Sequence, residues 1–223
     1  MSNKFTNMPD NFAIVDFNPD DKEQMDLICA IHSNVLPDSF VVEMGNIFMK
    51  KFYYKCLPKI GSLKCFLARY DGKYVGMIVT NKKPFSLIRS AIPIYFWRIS
   101  FVMSAAILTG PKRIKTLLNL VKYKPDPLLK TMEDSKTAFE ILTIGVLNDY
   151  RKVYITEKEK ISHKILKHAV NEYKNNGYKK ITGQILKSNR MALSFYETFN
   201  ANFLQSTTNE GGVILDLNIE NVK

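Results

Sequence analysis

The chain has 223 residues, 46% of them hydrophobic and 12% aromatic, which is enough for one large domain with a substantial core. Its formal net charge of +11 indicates an anionic partner, although lysines spread over solvated faces give the same total. The cysteines Cys29, Cys56 and Cys65 lack metal-ligand spacing. They are typical of a reduced cytoplasmic protein, and no secretion signal opens the chain. These features argue against a secreted disulfide scaffold.

The N-terminal part predicts an alternation of strands and helices. The apolar periodicity indicates a strand over 12–17, helices over 20–36 and 42–57, and strands over 63–70 and 73–80. The last two strands flank Asp71-Gly72, a strong two-residue turn signal. We therefore expect a β-hairpin there.

Residues 84–132 predict an inserted segment of two or three helices. The stretch 91–109 is almost wholly apolar, a length near that of a membrane span. Pro93, Arg98 and the position of the stretch between strands of one sheet argue against a span. Three interpretations stay open: a lid over a substrate site, a face that lies on a membrane or partner, and an insertion that only packs.

The C-terminal part predicts strand, helix, strand, helix and strand. Residues 137–147 are too apolar for an exposed edge strand. Thr156 and Glu159 have the spacing of a capping box for the next helix, which ends at 175–177. One face of that helix is apolar: Ile161, Ile165, Leu166, Ala169, Val170 and Tyr173.

The last helix carries a compact apolar face. A strand over 178–185 precedes it, and Ser188 or Asn189 can cap it. The face has the helical spacing i, i+3, i+4 and i+7: Ala192, Phe195, Tyr196 and Phe199.

Two of these segments resemble the GNAT superfamily of N-acetyltransferases. The stretch Ile144-Gly145-Val146-Leu147-Asn148-Asp149-Tyr150-Arg151 is similar to the family's central strand, roughly L-x-V-x-P-x-Y-R. The family's N-x-x-A-x-x-F-Y-E-x-x-G is matched by Asn189, Ala192, Phe195, Tyr196 and Glu197, with Asn200 in place of the glycine. The resemblance covers 139–203. It implies a single α/β domain over 1–223, whose mixed, mostly antiparallel sheet is flanked by helices, with the insertion at about 84–132.

The loop that should bind the pyrophosphate of coenzyme A departs from the family pattern. Relatives have R/Q-x-x-G-x-G/A, whose amides and helix N-terminus hold the phosphates. This chain has no glycine in 151–162, and both ways of aligning it need an insertion. Glu157 and Glu159 repel a phosphate, whereas Arg151, Lys152, Lys158 and Lys160 compensate. A remodelled binding loop and a degenerate, non-binding one both remain open.

The resemblance also implies roles for individual residues. The backbone of Ile144, Gly145 and Val146 would pair with the pantetheine arm, with Gly145 leaving room for close approach. Arg151, Lys152 and Ser162 would contact the phosphates, and Asn189 would hold the arm, cap the helix or do both. Tyr196 would protonate the leaving thiolate, unless it is only part of the hydrophobic face.

The base is the weakest assignment. Thr143 stands where many relatives have a carboxylate, so the candidate is Glu140 acting through water, with an exposed strand-end residue as the alternative. The acceptor site would be walled by the first two helices, which nominates a loose set: His32, Asp38, Phe40, Tyr53 and Tyr54. His32 also fits a satisfied structural residue.

Two functions follow from this sequence. The first is a cytoplasmic N-acetyltransferase that uses acetyl-CoA and no metal to modify a small-molecule primary amine, with an amino sugar on a nucleotide or lipid carrier as one example. The second is a non-catalytic GNAT-like protein that binds a protein partner or, peripherally, a membrane surface. Nucleic acid is not an expected partner, because aromatic and basic residues do not interleave. The oligomeric state is undetermined.

Overall fold

A computed structural model of the chain describes residues 11–82, 93–98, 100, 101, 103, 104, 108, 110, 113, 127, 131, 137–208 and 211–222. The strands are β1 Phe12–Asp16, β2 Leu63–Tyr70, β3 Lys73–Asn81, β4 Ala138–Val146, β5 Tyr154–Thr156, β6 Glu159–Lys160, β7 Lys180–Leu186, β8 Asn202–Gln205 and β9 Gly212–Asn218. The helices are α1 Lys22–Val35, α2 Phe40–Glu43, α3 Asn46–Phe48, α4 Tyr54–Cys56, α5 Ile161–Lys174 and α6 Arg190–Glu197. Three 3₁₀ turns cover Pro58–Ile60, Asn148–Tyr150 and Ile219–Asn221.

Seven of the strands form one sheet in the order β1-β2-β3-β4-β7-β9-β8. Every neighbouring pair is antiparallel except β4 and β7, which run parallel. The last long strand, β9, lies between β7 and β8 and so pairs within the chain. The mixed, mostly antiparallel sheet flanked by helices confirms the predicted fold class.

Local signals placed several elements correctly. Asp71 and Gly72 both have positive φ, 48° and 75°, as the tight turn between β2 and β3 requires. Asn200 also adopts a left-handed conformation, with φ 55°, at the position where the family has glycine. The predicted apolar face of α5 is buried throughout: Ile161, Ile165, Leu166, Ala169, Val170 and Tyr173.

The sheet separates two hydrophobic clusters. One face packs against α5 and α6, through side chains such as Phe139, Ile181 and Leu215. The other packs against α1 and the helical segment that follows it, through side chains such as Met77 and Val79. The three cysteines are free and buried.

The aromatic segment predicted as one helix over 42–57 is interrupted twice. Gly45, with φ 87°, ends α2, and α3 then continues into a π-helical turn over Met49–Tyr53 before α4. The wider turn places consecutive tyrosines, Tyr53 and Tyr54, both in the core.

The capping box predicted for α5 is wrong. Thr156 ends β5 and Glu159 begins β6, so the two residues face each other in a short hairpin, with the Thr156 hydroxyl 3.4 Å from the Glu159 carboxylate. The N-cap of α5 is Lys160, which makes no side-chain capping bond. A hairpin therefore stands where the sequence predicted a helix start.

The predicted insertion at 84–132 lies mostly outside the described residues. Within it, residues 93–98 are described and are helical. Among the described residues, no helix combines the length and apolar character needed to cross a membrane.

Candidate functional site

A gap opens in the sheet between β4 and β7. The two strands pair only from Ala138 to Glu140 on β4, where Glu140 lies opposite Thr182 of β7. Beyond this point β4 stays paired with β3 as far as Val146, and β7 stays paired with β9 to its end. Each strand follows its own neighbour, so the two edges separate toward their carboxyl ends. An extended ligand could add itself to such an edge as a further strand does.

Backbone groups of β4 point into this gap. The amide of Leu147 donates to the carbonyl of Val75 on β3 at 2.8 Å, which fixes the side to which each residue of β4 turns its hydrogen-bonding groups. Because these groups alternate along a strand, the N–H and C=O of Ile144 and Val146 face away from β3. The backbone groups of Ile144 and the amide of Val146 therefore face the gap, while the Val146 carbonyl accepts from Arg151.

Gly145 has a different orientation and a different reason to be glycine. It lies opposite Met77 in the β3–β4 ladder, so its backbone groups face β3. A methyl group on Gly145 would lie 2.6 Å from Cγ2 of Val35, the last residue of α1. The expected space for a cofactor at this position is therefore occupied by α1, which packs directly on β4.

The guanidinium of Arg151 closes one end of the gap. Its Nε donates to the carbonyl of Val146 at 3.0 Å, and its Nη1 lies 3.9 Å from the sulfur of Met191 in the first turn of α6. Arg151 therefore brings a fixed positive charge between the end of β4 and the start of α6. Lys152, the next residue, is exposed.

The N-terminus of α5 lies beyond the β5–β6 hairpin. Because Lys160 provides no side-chain cap, the first-turn amides near Ser162 keep the anion-binding character of an open helix end. Glu159 would oppose an anion here, but its carboxylate pairs with Lys164 at 2.5 Å and also with Lys167. Burial raises the pKa of Glu159, yet these two ammonium groups outweigh that effect and hold it below its ordinary value.

A groove of about 750 Å³ runs between this hairpin, α5 and the C-terminal end of α6. Its lining carries charges of both signs together with an aromatic ring: Thr156, Glu157, Lys158, Glu159, His163, Lys167, Thr198, Phe199 and Asn221. Nδ1 of His163 is buried without a hydrogen-bond partner among the described residues, and burial lowers the pKa of that imidazole. The groove is polar but is not a uniformly basic phosphate site.

Helix α6 positions two further candidates. Asn189 is its N-cap and accepts a hydrogen bond from the amide of Ala192 at 3.1 Å, which confirms the capping role. Tyr196 is 4% exposed in the core beneath α6, and burial raises its pKa. Within the described part of the chain its hydroxyl makes no hydrogen bond.

Glu140 is buried on the face of the sheet opposite α5 and α6. It is therefore not an exposed strand-end residue. It is 8% exposed, and its carboxylate lies 3.4 Å from the side-chain amide of Asn81. Tyr53 is close enough that, after burial, the Glu140 charge contributes to raising its pKa. The side of the sheet that carries Glu140 is also the side covered by α1.

His32 is a satisfied core residue. Its Nδ1 lies 2.5 Å from the hydroxyl of Tyr54 and its Nε2 lies 3.2 Å from that of Ser39. Burial lowers the pKa of His32 to about 4, so it stays neutral near pH 7. Among the other nominated wall residues, Asp38 is exposed and Phe40 is half-buried.

The structure adds residues that sequence reasoning missed. Lys164 and Lys167 lie one turn apart on α5, and both pair with Glu159. The sequence would have indicated these ion pairs only if the β5–β6 hairpin had been predicted. Asn81 and Thr182 join Glu140 through strand register, for which the linear sequence has no local signal. No group of residues able to hold a metal ion occurs in the described part of the chain.

Solved structures share this architecture. An N-acetyltransferase from Staphylococcus aureus Mu50 is 13% identical, covers 94% of this chain and 99% of its own, and has a TM-score of 0.54. A second GNAT-family acetyltransferase from the same organism is 10% identical over 93% of this chain and 99% of its own, with a TM-score of 0.54. A provisionally assigned GNAT-family acetyltransferase from Desulfovibrio desulfuricans is 9% identical over the same shares, with a TM-score of 0.55.

These similarities define the class of fold. The chain has the GNAT acyl-CoA N-acyltransferase fold. No protein-family model matches the sequence, and no curated protein sequence is significantly similar to it.

Proposed function

We propose that the protein is an N-acetyltransferase that moves the acetyl group of acetyl-CoA to a primary amine. The observation that carries this proposal is the gap between β4 and β7, with the backbone groups of Ile144 and the amide of Val146 turned into it. A pantetheine arm contains two amides, which can pair with such a strand edge. The resemblance of the sequence signatures supports the same ligand.

Residues at the wide end of the gap suit the phosphates of the cofactor. Arg151 is held by the Val146 carbonyl, and Ser162 lies in the uncapped first turn of α5. Lys152 is exposed beside them. Asn189 uses its side-chain oxygen as the cap of α6, which leaves its amide nitrogen to bind the arm. We propose this set as a remodelled phosphate site in which the β5–β6 hairpin replaces the glycine loop.

The reaction we propose is direct transfer. The amine nitrogen bonds to the acetyl carbonyl carbon, and the carbon–sulfur bond then breaks. The amide of Val146, which points into the gap, is placed to donate to the carbonyl oxygen as negative charge develops. One proton passes in total from nitrogen to sulfur: it leaves the amine through water toward Glu140, and the sulfur receives one from Tyr196. Burial raises the pKa of Tyr196, so its hydroxyl is protonated and can donate to the sulfur as the carbon–sulfur bond breaks.

For the acceptor we propose a small-molecule primary amine. An amino sugar on a nucleotide or lipid carrier is the first candidate, because a net charge of +11 favours an anionic carrier. The buried, free cysteines support the cytoplasm as the compartment.

Calorimetric titration with acetyl-CoA tests the proposal. Ser162→Glu adds a carboxylate to the first turn of α5, where the helix dipole tolerates it but a pyrophosphate does not. We expect micromolar binding to the wild type and at least tenfold weaker binding to Ser162→Glu. Asn171→Glu is the matched control, since it adds the same charge to an exposed site about 14 Å further along the same helix. No binding by the wild type at millimolar cofactor would refute the transferase proposal and favour the non-catalytic alternative.

A second candidate role concerns a membrane surface. We propose that Ile94, Trp97 and Phe101 make peripheral contact with anionic lipid, because they are 62%, 82% and 73% exposed at the spacing of one helical face. Sedimentation with phosphatidylglycerol vesicles should carry the protein down, and Trp97→Ser should weaken this. Ile47→Ser, which removes another exposed apolar side chain, should not. Equal binding by both variants would contradict the proposal.

A further inference from the structure

Exposed apolar side chains lie where the gap between β4 and β7 opens. Leu186 is the last residue of β7, and Met191 lies in the first turn of α6. Tyr154 of β5 is opposite Lys160, the N-cap of α5. These three side chains, Leu186, Met191 and Tyr154, are 57%, 63% and 56% exposed. Large apolar side chains that are exposed in one region indicate an interaction surface.

Positive side chains accompany the apolar ones. Across 146–152 and 186–191 the only carboxylate is Asp149, against four cations: Arg151, Lys152, Lys187 and Arg190. None of the four pairs with a carboxylate within the described part of the chain. Lysines elsewhere do form ion pairs, such as Lys64 with Glu172. We call the four cations, Leu186 and Met191 the rim of the gap.

The rim has the composition of a protein-binding surface. Methionine and arginine are enriched in protein interfaces, and unpaired cations attract a partner of opposite charge. The net charge of +11 favours the same class of partner over a longer range. The rim therefore suits an acidic protein.

The phosphates of coenzyme A do not account for the whole rim. A phosphate binds to cations and amides, so it gives no reason for Leu186 and Met191 to be exposed. The chain also lacks glycine in 151–162, and Glu157 is exposed in the hairpin that stands there. A pantetheine arm that is attached to a carrier protein has one phosphate at its base and no pyrophosphate. Such a donor asks less of this loop and more of the surface around it.

We propose that the rim binds an acidic carrier protein, which inserts its acetylated phosphopantetheine arm into the gap. This inference rests on the proposed function, because the arm pairs with Ile144 and Val146 in the same way as the arm of acetyl-CoA. Carboxylates of the carrier face the four cations, and its apolar side chains contact Leu186 and Met191. The acetyl carbon leaves the sulfur of the arm for the amine nitrogen; the amine loses one proton and the sulfur gains one. The carrier departs with a free thiol.

Calorimetry with three ligands tests this inference. The ligands are acetyl-CoA, a bacterial acyl carrier protein with the acetylated arm, and the same carrier protein without the arm. We expect the acetylated carrier to bind the wild type at least about tenfold more tightly than the carrier without the arm, because only the former fills the gap.

Two variants test the rim itself. Lys187→Glu reverses an exposed charge directly after β7, and Leu186→Ser removes an exposed apolar side chain. Each should weaken binding of the acetylated carrier about tenfold. The dissociation constant for acetyl-CoA should stay within about threefold, since exposed charges are screened by salt.

Lys179→Glu is the matched control. Lys179 is an exposed lysine directly before β7, without an ion pair among the described residues, and it lies about 26 Å along the strand from Lys187. The variant makes the same charge change far from the rim and should leave binding of the carrier unchanged.

The pattern of binding separates the inference from the proposed function. If acetyl-CoA binds and the acetylated carrier does not, the inference is overturned and the proposed function stands. Equal affinity of the carrier with and without its arm, or an equal effect of Lys187→Glu and Lys179→Glu, also overturns the inference. Binding of the acetylated carrier without binding of acetyl-CoA supports the inference and refutes acetyl-CoA as the donor. Binding of neither refutes both.

Discussion

Replacement of Gly145 by alanine tests the contact between α1 and the central strand. The added methyl group would lie 2.6 Å from Cγ2 and 2.7 Å from Cβ of Val35, closer than carbon atoms approach without displacement. Overpacking of this kind destabilises a protein by about 1–3 kcal/mol. For a chain of this length that corresponds to a Tm lower by roughly 2–12 °C.

A second substitution makes this prediction specific. Val35→Ala removes the atoms that the new methyl group meets, and by itself should destabilise the protein by about 1 kcal/mol, since Val35 is half-buried. In the double variant the methyl group added at position 145 has room, so the two costs should not add. We expect the double variant to be about 1–2 kcal/mol more stable than additivity gives.

Urea unfolding, analysed with a shared slope, measures all four proteins of this cycle. Gly183→Ala is the control, because its methyl group would meet a backbone carbonyl of Ile141 that Val35→Ala cannot move away. Additive behaviour of Gly145→Ala with Val35→Ala, or equal rescue of Gly183→Ala, would refute the packing argument.

Three further predictions follow from single side chains. Tyr196→Phe should lower kcat by about 10² to 10⁴-fold with an unchanged Tm, measured by thiol release, because the lost hydroxyl has no partner within the described residues. The folded-state pKa of His32, about 4, is below the ordinary 6.5, so its contribution to stability is complete above pH 6.5 and is lost as pH falls toward 4. In urea unfolding, the wild type should therefore lose about 3 kcal/mol of unfolding free energy between pH 6.5 and a pH below 4. His32→Gln should not show this pH-dependent loss. Glu159→Gln should reduce stability by about 1 kcal/mol, because Lys164 and Lys167 lose their partner, yet bind acetyl-CoA several-fold more tightly in calorimetry. An unchanged affinity for acetyl-CoA would show that the β5–β6 hairpin is not part of the phosphate site.

Periodic and capping signals predicted much of the fold because they are local. The apolar face of α5, the Asp71-Gly72 turn and the Asn189 cap each depend on residues a few positions apart. The β5–β6 hairpin was missed because a threonine and a glutamate three residues apart suit both a capping box and a tight hairpin. Only the path of the chain beyond β4 decides between them.

The candidate site shows the same division. Tyr196 and Asn189 were nominated by a contiguous sequence pattern, whereas Thr182 and Asn81 become neighbours of Glu140 only when strands distant in sequence pair in one register. The close approach of Val35 to Gly145 has no local signal either, because Val35 lies on a helix far earlier in the chain.

The short junction between β4 and β7 divides the sheet into two mechanical units. Strands β1 to β4 form one half and β7 to β9 the other, and along the sheet they are joined over three residue pairs. Few backbone hydrogen bonds therefore cross between the halves. Side-chain packing holds them together instead, because one buried cluster contains Phe139 of β4 as well as Ile181 of β7 and Leu215 of β9.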